Sequence, residues 1–208
     1  MLNKKDLLLY LCTNQVRPIT QALEEALAGG VTMVQIREKD ASTQRFYEVA
    51  CMVQALTRRY GVPLVINDRI DIALAVNADG VHLGQSDMPL GAARKLVGNS
   101  MFIGVSAGTL EQALAAQKYG ADYLGVGPVY PTTSKADVPD ALGTERLRVI
   151  REAVHIPVIG IGGIGPHNIR DVMQTGVAGV AVISAILSQP DIKAATQELR
   201  DALGCFPV

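Results

Sequence analysis

A run of small hydroxyls ending in a lysine, Thr132, Thr133, Ser134 and Lys135, lies in a long stretch after the apolar run Tyr123–Val126. Three neutral donors beside one point charge suit an anion. A connection of that length is uncommon in a compact domain unless it binds or covers something. Gln35, Arg37 and Lys39 follow another apolar run that begins at Met33. Two cations there can neutralise a highly charged group such as a diphosphate. Arg37 comes directly after the run, so its side chain is expected to point inward. Asp68 and Asp87 each follow a further apolar run. Two carboxylates on neighbouring loops, completed by water and ligand phosphate, describe a Mg²⁺ site better than a zinc site. Each is equally open to reading as a helix N-cap, Asp68 ahead of Ile70 and Asp87 ahead of Met88-Pro89. Gly160-Ile-Gly-Gly163 and Ile183-Ser184 complete the set. Glycines admit an anion close to the backbone, and a following helix aims its N–H groups at it. The competing reading is tight packing. Two anion sites with a cation between them suggest two phosphorylated substrates, or one bisphosphate.

No acid or base stands out. His82 ends an apolar run and is open to two readings, a general base or a hydrogen-bonded packing residue. His155 and His167 look structural. No Ser–His–Asp set, Cys–His pair or HExxH occurs, so covalent catalysis has no candidate. Cys12, Cys51 and Cys205 lack metal-ligand spacing and read as reduced thiols of a cytoplasmic protein. The 19 Lys+Arg nearly balance 20 Asp+Glu, which argues against nucleic acid as a partner. The N-terminal apolar run is too short for a signal peptide or a membrane span. The partners expected are small molecules. A homo-oligomer stays open.

The elements that must place these residues alternate along the chain. Apolar runs are expected as strands at 7–11, 33–37, 63–66, 80–83, 102–105, 123–126, 157–161 and 179–183. Helical patterns follow each, at 19–28, 43–60, 70–76, 90–97, 110–119, 144–153, 167–175 and 191–203. The strands are apolar on successive residues, the mark of a parallel sheet covered on both faces. Eight strand–helix units in 208 residues predict an α/β fold, a single compact (β/α)8 TIM barrel spanning 1–208. An open doubly wound sheet is the alternative, but no GxGxxG follows the first strand. The barrel puts the active site at the C-terminal ends of the strands, where every candidate anion- or metal-binding residue named above falls. The N-terminal ends offer mostly Gly, Ala, Pro and Val. Apolar residues make up 49% but aromatics only 4%, so the core must be aliphatic.

Seven stretches in order resemble the thiamine-phosphate synthase family. They are Val34-Gln-Ile-Arg-Glu-Lys-Asp40, Ile66-Asn-Asp-Arg69, Asp79-Gly-Val-His-Leu-Gly-Gln-Ser-Asp87, Ile103-Gly-Val-Ser106, Gly125-Val-Gly-Pro-Val-Tyr-Pro-Thr132 through Lys135, Ile159-Gly-Ile-Gly-Gly-Ile164, and Gly179-Val-Ala-Val-Ile-Ser184. The resemblance covers essentially the whole chain. It implies a Mg²⁺-assisted condensation of a pyrimidine diphosphate with a thiazole phosphate. The diphosphate departs first, leaving a pyrimidine carbocation, so no strong base is needed. The resemblance gives Gln35, Ile36, Arg37, Glu38, Lys39 and Asn67 to the pyrimidine diphosphate, and Asp68 and Asp87 to the metal. It gives Ser106 to the pyrimidine. Thr132, Thr133, Ser134, Gly163, Ile183 and Ser184 go to the thiazole phosphate, and Lys135 to the diphosphate. Arg37, Lys39, Ser106 and Lys135 would carry the chemistry. Ser134, Ser86 and Ala107 depart from the family's usual residues, and none of the three removes a group that touches ligand.

Two rivals are weighed. A thiazole tautomerase of related sequence would carry a histidine after the sixth strand, where Pro128 stands. A non-catalytic barrel that only binds a precursor would have lost the metal pair or the cations. Both are intact.

Overall fold

The computed structural model describes residues 2–13, 18–132, 134 and 140–206. Eight strands close into a barrel in chain order: β1 Leu9–Cys12, β2 Met33–Ile36, β3 Leu64–Asn67, β4 Gly80–Leu83, β5 Phe102–Ala107, β6 Tyr123–Val126, β7 Val158–Ile161 and β8 Gly179–Val182. All neighbours pair in parallel, and β8 returns to β1 through Leu9↔Val180. The helices are α1 Ile19–Gly29, α2 Thr43–Tyr60, α3 Ile70–Val76, α4 Leu90–Val97, α5 Leu110–Lys118, α6 Gly143–Ala153, α7 Ile169–Met173, α8 Ser184–Leu187 and α9 Ile192–Leu203. The (β/α)8 architecture read from the apolar runs is therefore present.

The cause is visible strand by strand. In β1, β2, β3, β4, β6 and β8 every residue is buried, one face against the barrel interior and the other against helices. The helices start and stop on local chemistry. Ser42, Thr109 and Asp191 accept backbone N–H bonds at the N-termini of α2, α5 and α9. Asn3 and Asp6 form a capping box on a 3₁₀ turn over Lys4–Leu7. That turn uses up the start of the first apolar run, so β1 begins at Leu9 and not at Leu7. Beyond shifts of a single residue, three other features differ from the sequence reading. β5 continues to Ala107, so Ser106 lies inside the strand. α7 is shorter than the expected 167–175. α8 was not anticipated, because no polar break separates β8 from it.

The bottom of the barrel carries a repeated device. Thr32, Asp79 and Asp122 stand just before β2, β4 and β6. Their side-chain oxygens accept the N–H groups of Leu9, Leu64 and Ile103 at 2.9, 2.8 and 2.7 Å, on the preceding strands. Asp122 also pairs with Arg94. The polar residues at the N-terminal ends of the strands are thus structural fasteners. No helix among the described residues is long and apolar enough to cross a membrane.

Candidate active site

Two clefts open at the C-terminal end of the barrel. One has a volume of about 490 Å³ and is lined by Gln35, Arg37, Lys39, Asn67, Asp68 and Asp87. The other, about 1090 Å³, is lined by Thr132, Ser134, Gly163, Ile183 and Ser184, among others. Gln35 and Asn67 are buried, Arg37 is half-buried and Lys39 is exposed. The clefts share Ser106, Gly125, Ser134, Ile161 and Ala181 as a common wall. Thr133 and Lys135 lie outside the described residues. Ile36 is fully buried; strand alternation turns it from the interior that Gln35 faces, and it lines neither cleft. Glu38 is buried and lines neither cleft. For these two, the structure brings no side chain to the mouth.

In the smaller cleft the carboxylates of Asp68 and Asp87 hydrogen-bond to each other. Burial comes first, and the Asp87 bond and charge add to it, in raising Asp68 from the usual carboxylate range to about 6. Lys39 and Arg37 pull in the opposite direction. Neither Asp caps a helix: Arg69 and Pro89 hold the N-cap positions of α3 and α4. Asp87 instead accepts the Gly84 N–H at 2.6 Å. Asp68 has φ of 62°, in the left-handed region that side chains seldom adopt. Its backbone N–H still bonds to the His82 carbonyl at 2.9 Å, so the strained residue stays tied to β4. Two carboxylates held this close need a shared proton or a cation between them. Oxygen donors of this kind suit Mg²⁺. Among the described residues no group of three or more His, Cys, Asp or Glu forms a ligand set. A cation bound here would therefore need ligand or water oxygens beyond the pair.

In the larger cleft the loops after β6, β7 and β8 are fastened together. Ser134 Oγ lies 3.3 Å from Ser184 Oγ, and the Ser134 N–H donates to Thr132 Oγ1 at 3.2 Å. Asn168 fixes the turn after β7: its Oδ1 accepts the Gly165 N–H and its Nδ2 donates to the Gly163 carbonyl, both at 2.9 Å. Gly162 and Gly163 have φ of 95° and 64°. A Cβ on Gly163 would stand 2.6 Å from the Pro131 carbonyl oxygen, and one on Gly162 the same distance from Pro128 Cβ. These glycines accept the loop after β6 as well as leaving room for a ligand. The base of that loop is clasped: Val129 and Tyr130 donate to Ile161 and Gly162, and Leu142 and Gly143 donate back to Pro128 and Val129.

The sequence reading missed the interior beneath the shared wall. Gln35 Nε2 donates to Tyr10 Oη at 2.7 Å, and Tyr10 Oη lies 2.9 Å from Tyr123 Oη. Tyr123 Oη lies 3.0 Å from His82 Nδ1, and His82 Nε2 lies 2.9 Å from Ser106 Oγ. Both tyrosines are fully buried, and burial is the first cause raising each phenol well above its ordinary value. The one available signal was a tyrosine in each of two otherwise aliphatic strands. His167, passed over as structural, lines the larger cleft.

Residues 9–186 match the family model described as thiamine monophosphate synthase. The chain is 51% identical over 203 residues to thiamine-phosphate synthase of Ruminiclostridium cellulolyticum, covering 96% of each. It is 48% identical over 200 residues to thiamine-phosphate synthase of Desulfitobacterium hafniense, covering 94% of this chain and 97% of that one. The solved thiamine phosphate pyrophosphorylase of Pyrococcus furiosus superposes with a TM-score of 0.90 at 44% identity, covering 97% of both chains. A barrel whose mouth holds the acidic pair, the cations and the hydroxyl loop, matched along nearly its whole length, belongs to the thiamine-phosphate synthase family of transferases.

Proposed function

We propose that this chain joins 4-amino-2-methyl-5-(diphosphooxymethyl)pyrimidine to 4-methyl-5-(2-phosphoethyl)thiazole, or to its carboxylated form, giving thiamine phosphate and diphosphate. The observation that carries the reading is the meeting of two chemically different clefts at Ser106 and Ser134. Such a condensation needs two reacting atoms at one point while two anionic tails lead apart. The cleft with Arg37, Lys39 and the acidic pair suits a diphosphate. The cleft with Thr132, Ser134, Ser184 and the loop glycines suits a phosphate monoester. Thr133 is given to the same phosphate, and Lys135 to the diphosphate, on the resemblance alone.

In this reading the bond from the methylene carbon to the diphosphate oxygen breaks, and its electron pair leaves with the oxygen. The thiazole nitrogen then forms the new C–N bond to that carbon. The family's dissociative order needs no base at the carbon. Gln35 and Ser106 orient the pyrimidine, and Arg37 and Lys39 hold the departing charge in place. Asp68 and Asp87 would hold Mg²⁺, which supplies charge neutralisation to the diphosphate when bound. A cytoplasmic location and small-molecule partners only are part of the same proposal.

Purified protein with both substrates, with Mg²⁺ or with EDTA, tests it. The expected result is metal-dependent thiamine phosphate and diphosphate in equal amounts. Isomerisation of a thiazole carboxylate phosphate without coupling would establish the tautomerase in its place. A ligand-induced rise in melting temperature with no chemistry would establish a binding module.

A further inference from the structure

The hydrogen-bond chain beneath the shared wall has a direction. It crosses the barrel through five strands, from Gln35 on β2 to Tyr10 on β1, Tyr123 on β6, His82 on β4 and Ser106 on β5. Gln35 Nε2 has no lone pair to offer, so at that contact Tyr10 Oη accepts. A phenol has one proton. The line of contacts allows one continuous direction from Gln35, in which Tyr10 donates its proton to Tyr123 Oη and Tyr123 donates its own to His82 Nδ1. An Nδ1 that accepts leaves the imidazole proton on Nε2, which faces Ser106 Oγ at 2.9 Å. Ser106 therefore accepts from His82, and its own proton is directed away from the interior, toward the wall shared by the two clefts.

The cavity for this chain is built into the backbone. A Cβ on Gly104 would stand 2.1 Å from the Tyr123 ring, and one on Gly125 would stand 3.2 Å from His82. Gly104 on β5 pairs directly with Tyr123 on β6, whereas Gly125 on β6 makes room for His82 across β5, on β4. The rings of Tyr10, His82 and Phe102 pack around Tyr123 with centroids at 6.0, 5.6 and 6.2 Å. Tyr123 lines neither cleft, whereas Tyr10 and His82 line the smaller one from below.

We propose that Tyr10, Tyr123 and His82 are positioning residues, whose one-way chain of hydrogen bonds holds His82 as the Nε2–H tautomer and commits the Ser106 hydroxyl to donating into the mouth. The inference rests on the proposed function in one respect, that the acceptor is a nitrogen of the pyrimidine substrate. The polarity itself does not depend on it.

Two measurements decide it. The first is ¹⁵N NMR of the imidazoles in the ligand-free wild-type protein. His155 and His167 are exposed, whereas His82 is buried and is expected as a single Nε2–H species. An Nδ1–H species would mean that His82 donates to Tyr123 Oη, which overturns the proposal. This arm needs neither substrate nor variant, so it decides the polarity even if the protein makes no thiamine phosphate. The second is a cycle of Tyr123→Phe and Ser106→Ala. Loss of one orienting hydrogen bond lowers kcat/KM for the pyrimidine diphosphate roughly tenfold in Tyr123→Phe, with KM for the thiazole phosphate unchanged. In the Ser106→Ala background the same change costs less than about twofold, because Tyr123 acts through Ser106. Equal losses in both backgrounds overturn the positioning role.

Discussion

Asp68 combines an unusual backbone with an unusual proton affinity. Its carboxyl is raised to about 6, so the folded protein holds that proton more tightly than the unfolded chain does. The resulting stabilisation is complete below the ordinary carboxylate value of 3.8 and is lost as pH rises through about 6. In EDTA, the melting temperature of the wild type is therefore expected to fall more steeply over that interval than that of Asp68→Asn. Asn keeps the shape and tolerates a φ of 62°. Parallel slopes in the two proteins would remove Asp68 as the cause. At pH near 8, Mg²⁺ is expected to raise the wild-type melting temperature and to leave Asp68→Asn unmoved. Lys135→Ala is expected to slow turnover by about 2–4 kcal/mol in barrier height without changing the melting temperature. Full activity in that variant would take Lys135 out of the mechanism. Asp68 and Asp87 were legible in the sequence because a carboxylate straight after an apolar strand has few reasons to be there. Setting aside the caps needed coordinates, since capping depends on where the helix begins. Tyr10 and Tyr123 were illegible because they lie 113 residues apart and each looks like an ordinary core residue.

At the scale of elements, the barrel was readable and its edges were not. Continuous apolar runs announce parallel strands wherever they fall. The start of β1, the length of α7 and the presence of α8 depend on caps and turns that act over three or four residues. The fasteners under β1, β3 and β5 were also missed, because Thr32, Asp79 and Asp122 pair with strands earlier in the chain. Asp122→Ala leaves the Ile103 N–H and Arg94 without that carboxylate. The expected cost is about 1–3 kcal/mol of folding stability with the turnover rate retained, measured by denaturant melts and initial rates. Gly104→Ala drives a methyl into the Tyr123 ring and is expected to cost about 1–3 kcal/mol as well. It should lower activity too, because that ring carries the hydrogen-bond chain. A Gly104→Ala protein that melts and turns over like wild type would show that the interior yields easily.

At the scale of the whole molecule two clefts meet at one wall, and the loop after β6 reaches both through Ser134. Gly143 was read from sequence as a hinge for that loop. The structure gives it a φ of 73° and ties its N–H to Val129 at 3.0 Å, so it closes the clasp at the base. Ligand-dependent change is expected inside the clasp, over 131–141. Limited proteolysis there should slow when both substrates, or thiamine phosphate, are present. Cleavage at the same rate with and without ligand would count against a covering role.

The clasp and the paired glycines have a further consequence, for anyone who would rebuild this enzyme. Val129 and Tyr130 donate their N–H groups to the Ile161 and Gly162 carbonyls, and Gly163 admits Pro131 only because it lacks a side chain. The hydroxyl-bearing segment after β6 and the turn after β7 are thus a single transplantable part, although 19 or more residues and a whole helix separate them in the chain. A chimera that takes one without the other inherits a mismatched seam, while one that carries both, with Asn168 to brace the turn, moves the recognition surface as a unit.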